Sequence, residues 1–288
     1  MTWRRGIEIK DRAELERMRR AGRINAEALR AAMAVVRPGV TTADVDRAAA
    51  EVLRKYGAWP AFLGYPGPTP YPAVTTVSVN EELVHGIPGP RRLRQGDIIS
   101  IDCGTIYEGF VGDSAITVPV GEVSDEAWRL IEATLAGLWA GVRAMQPGKR
   151  TGDVSAAIQA EVEARGFQVT RDYTGHGVGR SMHEDPQVPN YGVPGKGPVL
   201  RPGMTIALEP MVLAGTPETR LLEDGWTVVS RDGRPTAHFE HTVAVTADGP
   251  WVLTALDEPD LDGPRSAWYN DFFAGLPRLA VAQGASAS

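Results

Sequence analysis

The sequence predicts an α+β fold of two pseudo-symmetric halves, each an antiparallel sheet covered by a pair of helices. Three internal matches, occurring in the same order, carry this expectation. Pro38-Gly39-Val40-Thr41-Thr42-Ala43-Asp44-Val45 opens one helical pattern, and Pro147-Gly148-Lys149-Arg150-Thr151-Gly152-Asp153-Val154 opens another at an offset of 109 residues. Leu93-Arg94-Gln95-Gly96-Asp97-Ile98-Ile99-Ser100-Ile101-Asp102 matches Leu200-Arg201-Pro202-Gly203-Met204-Thr205-Ile206-Ala207-Leu208-Glu209 at an offset of 107, and each copy runs from a turn through a β-rich stretch to a carboxylate. A weaker third pair sets Asp113-Ser114-Ala115-Ile116-Thr117-Val118 against Glu240-His241-Thr242-Val243-Ala244-Val245. The repeated units cover about 24–120 and 129–250.

The elements follow from local signals. Apolar residues at Leu15, Met18, Ile24, Ala28 and Leu29 recur with helical spacing through residues 11–36, and residues 125–145 form the counterpart in the second copy. Thr42 and Thr151 are the expected N-caps of the next helix in each copy, which ends near Gly57 or Gly166. Residues 75–79 are expected to be a strand. Beyond residue 257 the pattern dissolves into a run rich in Asp and Pro and then an Ala/Ser/Gly-rich end, expected to be a partly ordered tail over 257–288.

Composition narrows the function. A hydrophobic content of 43% and a formal charge of −6 over 288 residues are ordinary for a globular protein, and they give no basis for nucleic-acid or anionic-membrane binding. The lone Cys103 excludes an intrachain disulfide framework and any Cys-based structural zinc site, so a bound metal must be held by oxygen and imidazole. The N-terminal stretch lacks the apolar core of a signal peptide, and no apolar run is long enough to span a bilayer. A cytoplasmic location is the expectation.

Five residues stand out as metal ligands. Asp102 and Asp113 flank a turn whose midpoint falls between Tyr107 and Glu108, which predicts two aspartates directly opposite each other on one face of a hairpin. Their flanks are apolar, and two carboxylates side by side repel unless a cation lies between them. Glu209 is expected inside an apolar strand over 204–212, and Glu240 beside the strand 242–245, with no Arg or Lys adjacent to either. His176, between Gly175 and Gly177, completes a hard, oxygen-rich set that suits two divalent ions, Co²⁺, Mn²⁺, Fe²⁺ or Zn²⁺, about 3.5–4 Å apart. His85 and His183, on loops leading into these strands, read as donors to a substrate or to a developing oxyanion. His238 and His241 read as structural.

The elements His-Gly-Ile-Pro at 85–88, Ile-Asp-x₁₀-Asp ending at Asp113, Gly-His-Gly-Val-Gly-Arg-x₂-His-Glu-x-Pro at 175–186, Glu-Pro-Met at 209–211 and Glu-His-Thr at 240–242 together resemble type I methionine aminopeptidases. The resemblance covers roughly residues 7–250. It implies the pita-bread fold, with residues 1–256 as one catalytic domain around a central two-metal site. It also implies that Asp102, Asp113, His176, Glu209 and Glu240 are the ligands, Asp113 and Glu240 bridging. Glu209 would handle the proton of the attacking water, His85 would contact the scissile amide, and His183 would stabilise the tetrahedral intermediate. Phe62, Tyr65, Tyr71, Met182 and Trp226 are similar to the lining of the methionine pocket. The implied substrates are nascent-chain N-termini with a small second residue, with the ribosome as the place of action and a monomer as the working form. Two departures fall at the pocket: Phe62 stands near a position where this family often carries cysteine, and residues 66–70 lengthen the segment between the two tyrosines. Xaa-Pro aminopeptidases, prolidases and non-catalytic binding relatives share the fold and form the competing readings.

Overall fold

A computed structural model of the chain describes residues 4–257. Of the expected tail over 257–288, all but Asp257 lies outside them. The first half contains β1 (Arg4–Ile7), α1 (Arg12–Val35), α2 (Thr42–Tyr56), β2 (Trp59–Pro60), β3 (Thr75–Val79), β4 (Glu82–Val84), β5 (Ile98–Tyr107) and β6 (Phe110–Pro119). The second contains α3 (Asp125–Ala144), α4 (Thr151–Glu163), β7 (Gln168–Val169), β8 (Thr174–Gly177), β9 (Glu184–Pro189), β10 (Thr205–Leu208), β11 (Met211–Leu213), β12 (Thr219–Leu221), β13 (Val228–Ser230), β14 (Thr236–His238), β15 (Glu240–Thr246) and β16 (Gly249–Val252).

The main sheet runs β1-β9-β8-β10-β15-β6-β5-β2, with β16 added at β15 and β3 at β5. Its centre is the β6–β15 pairing, Glu240 opposite Ala115 and His241 opposite Ser114. On one side β6 continues into β5, and on the other β15 continues into β10. The seam therefore joins the two halves of the repeat. α1 packs on α2 and α3 on α4. The core between helices and sheet is filled by side chains such as Ile99, Ile101, Ile116, Leu138 and Trp139.

Helix ends show how the local sequence acts. Asp11 caps α1 in a reciprocal box: its side chain accepts from the Glu14 N–H, and the Glu14 carboxylate accepts from the Asp11 N–H. The caps of α2 and α4 fall one residue earlier than expected. Thr41, not Thr42, accepts from the Asp44 N–H at 3.2 Å, because Asp44 lies three residues on and its carboxylate accepts from the Thr41 N–H in return. In the second copy Arg150 holds that position, and the Asp153 carboxylate accepts from its N–H at 2.8 Å. Thr42 and Thr151 are the first helical residues.

The outer face of the β5–β6 hairpin is fixed to α1 through a buried side chain. Asn25 donates from Nδ2 to Ser114 Oγ at 2.6 Å and accepts from Thr105 Oγ1 at 2.6 Å. Ser114 and Thr105 point to the helix side, so strand alternation turns Asp113 to the other face. The hairpin register corrects the sequence expectation. Asp102 pairs with Ala115 and Asp113 with Gly104, so the two aspartates are diagonal neighbours and not directly opposite. The turn residues are Glu108 and Gly109, both with positive φ (49° and 79°), as a two-residue hairpin of the primed type requires. Gly109 takes that conformation freely, and this displaces the turn by one residue.

A second anchor ties the start of the chain to the second half. Lys10 Nζ donates to Glu184 Oε2 at 2.5 Å with both side chains buried. The other Glu184 oxygen accepts from the backbone N–H groups of Arg180 and Ser181. The pair thus holds the loop that carries His183. Lys10→Met leaves a buried carboxylate without its cation, and the expected loss is about 3–5 kcal/mol of unfolding free energy in urea titrations. A loss below about 1 kcal/mol, the scale of a surface pair, contradicts this role.

Candidate metal centre

The strand registers place the five acidic and imidazole residues on one face. Along one row, Asp102 on β5, Ala115 on β6 and Glu240 on β15 lie side by side. Glu209 follows directly after Leu208, whose partner is His241, and so reaches the same row from the far side. In the next row Asp113 lies opposite Gly104, and the Thr242 hydroxyl both accepts from the Asp113 N–H and donates to its carbonyl. His176 on β8 joins this row through Ala207, which pairs with both His176 and Thr242. The glycines beside His176 are steric requirements: a Cβ at Gly177 would lie 2.3 Å from the Asp185 carbonyl oxygen, and one at Gly175 would lie 2.7 Å from that of Ala207.

Glu209 is not inside a continuous strand. β10 ends at Leu208, and Pro210, which has no N–H to give a ladder, separates it from β11, which pairs with β7 and β14 in a different sheet. The Glu209 carbonyl accepts instead from Asn190 Nδ2 at 2.9 Å. This break lets the Glu209 side chain, 13% exposed, border the cavity.

The electrostatics are those of a cation site. Asp102, Asp113, Glu209 and Glu240 are all held above the usual carboxylate range, first by burial and, for Asp102, Glu209 and Glu240, then by one another's charge; Asp113 reaches about 8. Asp102 Oδ1, Asp113 Oδ1 and Glu240 Oε1 are buried with no hydrogen-bond partner. Burial keeps His176 neutral, with its pKa lowered to about 4. Its Nδ1 lies 2.9 Å from the Gly177 carbonyl and must carry the proton to bond there, which leaves the Nε2 lone pair facing inward. That lone pair sits 3.4 Å from Glu209 Oε1 and 3.8 Å from Asp113 Oδ2. Lone pair against carboxylate oxygens is repulsive unless a cation lies between, and the backbone carbonyl behind the ring is the usual support of a metal-binding histidine. Ligand atoms of Asp113, His176 and Glu240 lie within 4.8 Å of one another. The residues fit divalent metal.

The twelve residues singled out in the sequence all line one cavity of about 250 Å³. Tyr65 donates its hydroxyl toward the Nδ1 of His183 at 2.6 Å. Burial lowers His183 to about 3 and raises Tyr65, so a neutral ring meets a protonated phenol; Nδ1 accepts and Nε2 carries the hydrogen. His183 is therefore set as a hydrogen-bond donor beside His176, ring centroids 4.3 Å apart. His85 is neutral as well, lowered to about 4 by burial and then by His183. Its φ of +61° is unusual for a residue with a side chain, and strain of this kind gathers where a side chain must be aimed.

The lengthened segment does not displace the second tyrosine. Tyr71 is buried, with its hydroxyl donating to the carbonyls of Gly86 and Thr75. Residues 66–70 loop out onto Trp226, whose indole N–H donates to the Thr69 carbonyl at 3.1 Å and whose ring meets Tyr71 edge-on at 5.1 Å. Gly67 admits this ring, since a Cβ there would lie 2.2 Å from it. Sequence reasoning missed Tyr173 and Met211 in the lining, and it assigned His238 to structure although its ring reaches toward Glu209. For His238 the available signal is parity: two residues before Glu240, it shares that residue's face. His241 does have structural partners, Thr254 Oγ1 at 2.8 Å and the Trp139 ring.

Metallopeptidase family M24 matches residues 16–247, and the chain belongs to this family. It is 49% identical over 252 residues to a methionine aminopeptidase of Clostridium acetobutylicum, covering 87% of this chain and 100% of that protein. It is 50% identical over 250 residues to methionine aminopeptidase 1 of Bacillus subtilis, covering 87% and 100%. The crystal structure of a methionine aminopeptidase from Thermotoga maritima superposes with a TM-score of 0.84 at 48% identity, covering 86% of this chain and 99% of that one. Prolidase from Pyrococcus furiosus, 24% identical with a TM-score of 0.70 and 66% of its length covered, shares the fold. These matches agree with the pita-bread architecture that the resemblance implied and with the two halves expected from the repeat.

Proposed function

We propose that this chain is a metal-dependent aminopeptidase that removes N-terminal methionine from nascent proteins and peptides whose second residue is small. The observation that carries the reading is one cavity lined both by four carboxylates and a neutral imidazole and by an apolar wall. That wall, formed by Phe62, Tyr65, Tyr71, Met182 and Trp226, suits a thioether, which gains favourable contacts with aromatic rings.

Asp102, Asp113, His176, Glu209 and Glu240 would hold two divalent ions, Co²⁺, Mn²⁺, Fe²⁺ or Zn²⁺, and Asp113 and Glu240, whose ligand atoms lie together with that of His176 within 4.8 Å, would be the carboxylates shared between them. When bound, such ions polarise a scissile carbonyl and make water nucleophilic near neutral pH. Glu209, the most exposed of the four carboxylates, accepts the proton of the attacking water and delivers it to the leaving amine. His85 contacts the scissile amide. His183, its tautomer set by Tyr65, donates to the oxygen of the tetrahedral intermediate as its charge develops. Substrates are nascent N-termini. The enzyme acts as a monomer in the cytoplasm, at the ribosome, and among the described residues no helix is long and apolar enough to cross a membrane.

Purified protein supplied with Mn²⁺ or Co²⁺ is expected to release methionine from Met-Ala and Met-Gly peptides and to leave Met-Lys and Met-Leu peptides intact. Cleavage of Xaa-Pro substrates without preference for methionine would place it with the prolidase-like members instead.

A further inference from the structure

One buried polar atom beside the site is left unused by this mechanism. His238, the last residue of β14, is 2% exposed, and its Nε2 has no hydrogen-bond partner. The backbone that carries the ring is clamped. The His238 N–H donates to Thr117 Oγ1 at 2.8 Å, and the same hydroxyl donates to the His238 carbonyl at 2.8 Å. Ser100 Oγ lies 2.8 Å from that hydroxyl, so the clamp is itself buried and braced by β5. Held in this way, Nε2 faces Glu209 Oε2 at 3.9 Å, while the other Glu209 oxygen lies on the His176 side.

We propose that His238 is a positioning residue for Glu209, donating from Nε2–H to Oε2 and fixing the plane in which that carboxylate exchanges a proton. The gap is longer than a hydrogen bond by somewhat less than 1 Å, which a small rotation of the Glu209 side chain closes; such bonds commonly tighten only in the substrate complex. A buried donor left unmet costs about 1–3 kcal/mol, so there is a driving force for the contact. Without it, only the metal restrains the last torsion of this partly exposed carboxylate, a torsion that is broad for a glutamate. The inference rests on the reading of Glu209 as the proton-handling group.

His238→Leu removes the donor while keeping an apolar filling, and His238→Gln restores an N–H donor at similar reach. His238→Leu is expected to lower kcat on a Met-Ala peptide by about 10–100-fold with KM changed by less than about threefold, and to weaken Mn²⁺ binding by a similar factor in calorimetric titration. His238→Gln is expected to recover most of both losses. In a Glu209→Gln background, His238→Leu is expected to add little, because the group it positions is already disabled. Wild-type kcat and metal affinity in His238→Leu overturn the proposal. So does a His238→Gln variant no better than His238→Leu, or a loss confined to KM, which places the ring on the substrate. An active Glu209→Gln enzyme overturns the reading of Glu209 itself, and is told apart because that result does not depend on His238.

Discussion

Glu209→Gln is expected to lower kcat for Met-Ala peptides by about 10²–10⁴-fold, the usual contribution of a positioned general base, with the fold retained. The substitution is nearly isosteric and keeps the Asn190 contact, which is made to the backbone carbonyl. What it removes is a proton acceptor at the edge of the cavity. It also removes one of four mutually repelling charges, so metal-free Glu209→Gln is expected to unfold at a higher temperature than wild type near pH 8. Loss of activity together with gain of stability distinguishes a functional carboxylate from a structural one. A variant that retains more than roughly 5% of the rate contradicts the assigned role, since a positioned base is worth at least about a hundredfold.

Removing the metal is expected to make the protein lose stability as pH rises above neutrality. Asp102, Asp113, Glu209 and Glu240 have folded-state pKa values raised above those of the unfolded chain. Carboxylates of this kind contribute stability below about pH 4, where both states are protonated, and lose it as pH rises through the folded pKa, about 8 for Asp113. The buried histidines act oppositely. His85, His176 and His241 are lowered to about 4, and His183 and His238 to about 3. Their contribution is complete above the unfolded value of about 6.5 and fades as pH falls below it. Chelated protein is therefore expected to be most stable near pH 6–6.5 and to lose stability toward pH 8.5. Metal binding favours the ionised ligands, so added Mn²⁺ is expected to abolish the alkaline loss. At a hundredfold excess over Kd it stabilises by about 2.7 kcal/mol, or about 5–10 °C for a domain of this size. Melting curves of chelated protein that coincide at pH 6.5 and 8.5, and that Mn²⁺ does not shift, contradict the cation-site reading.

The places where sequence and structure part have local causes. The repeat, both long helices and the strand Thr75–Val79 are legible because each is written in periodicity or in a cap. The hairpin register is not, because counting from Asp102 to Asp113 centres the turn on Tyr107 and Glu108, whereas positive φ is acceptable at Gly109 and unfavourable for an aromatic such as Tyr107. A turn moved by one residue changes the pairing by two, so both aspartates stay on one face and the site survives the error. The Thr41/Thr42 ambiguity has two equivalent hydroxyls in sequence and is resolved by the reciprocal bond from Asp44. The break after Glu209 is signalled by Pro210, whose missing N–H outweighs the apolar run around it. His238 is hidden for another reason. Its parity with Glu240 hints at a shared face, but it ends a strand of another sheet, and that spacing does not report the 3.9 Å approach to Glu209.

The β6–β15 seam has a consequence for assembly. Each half brings two carboxylates to the common face, Asp102 and Asp113 from one, Glu209 and Glu240 from the other, and the histidine comes from the second alone. Two separate halves would assemble the four carboxylates only by meeting, at a population set by their concentration. Carrying both on one chain makes that encounter intramolecular and free of dilution. It also leaves the halves free to differ, as the imidazole on the second alone shows.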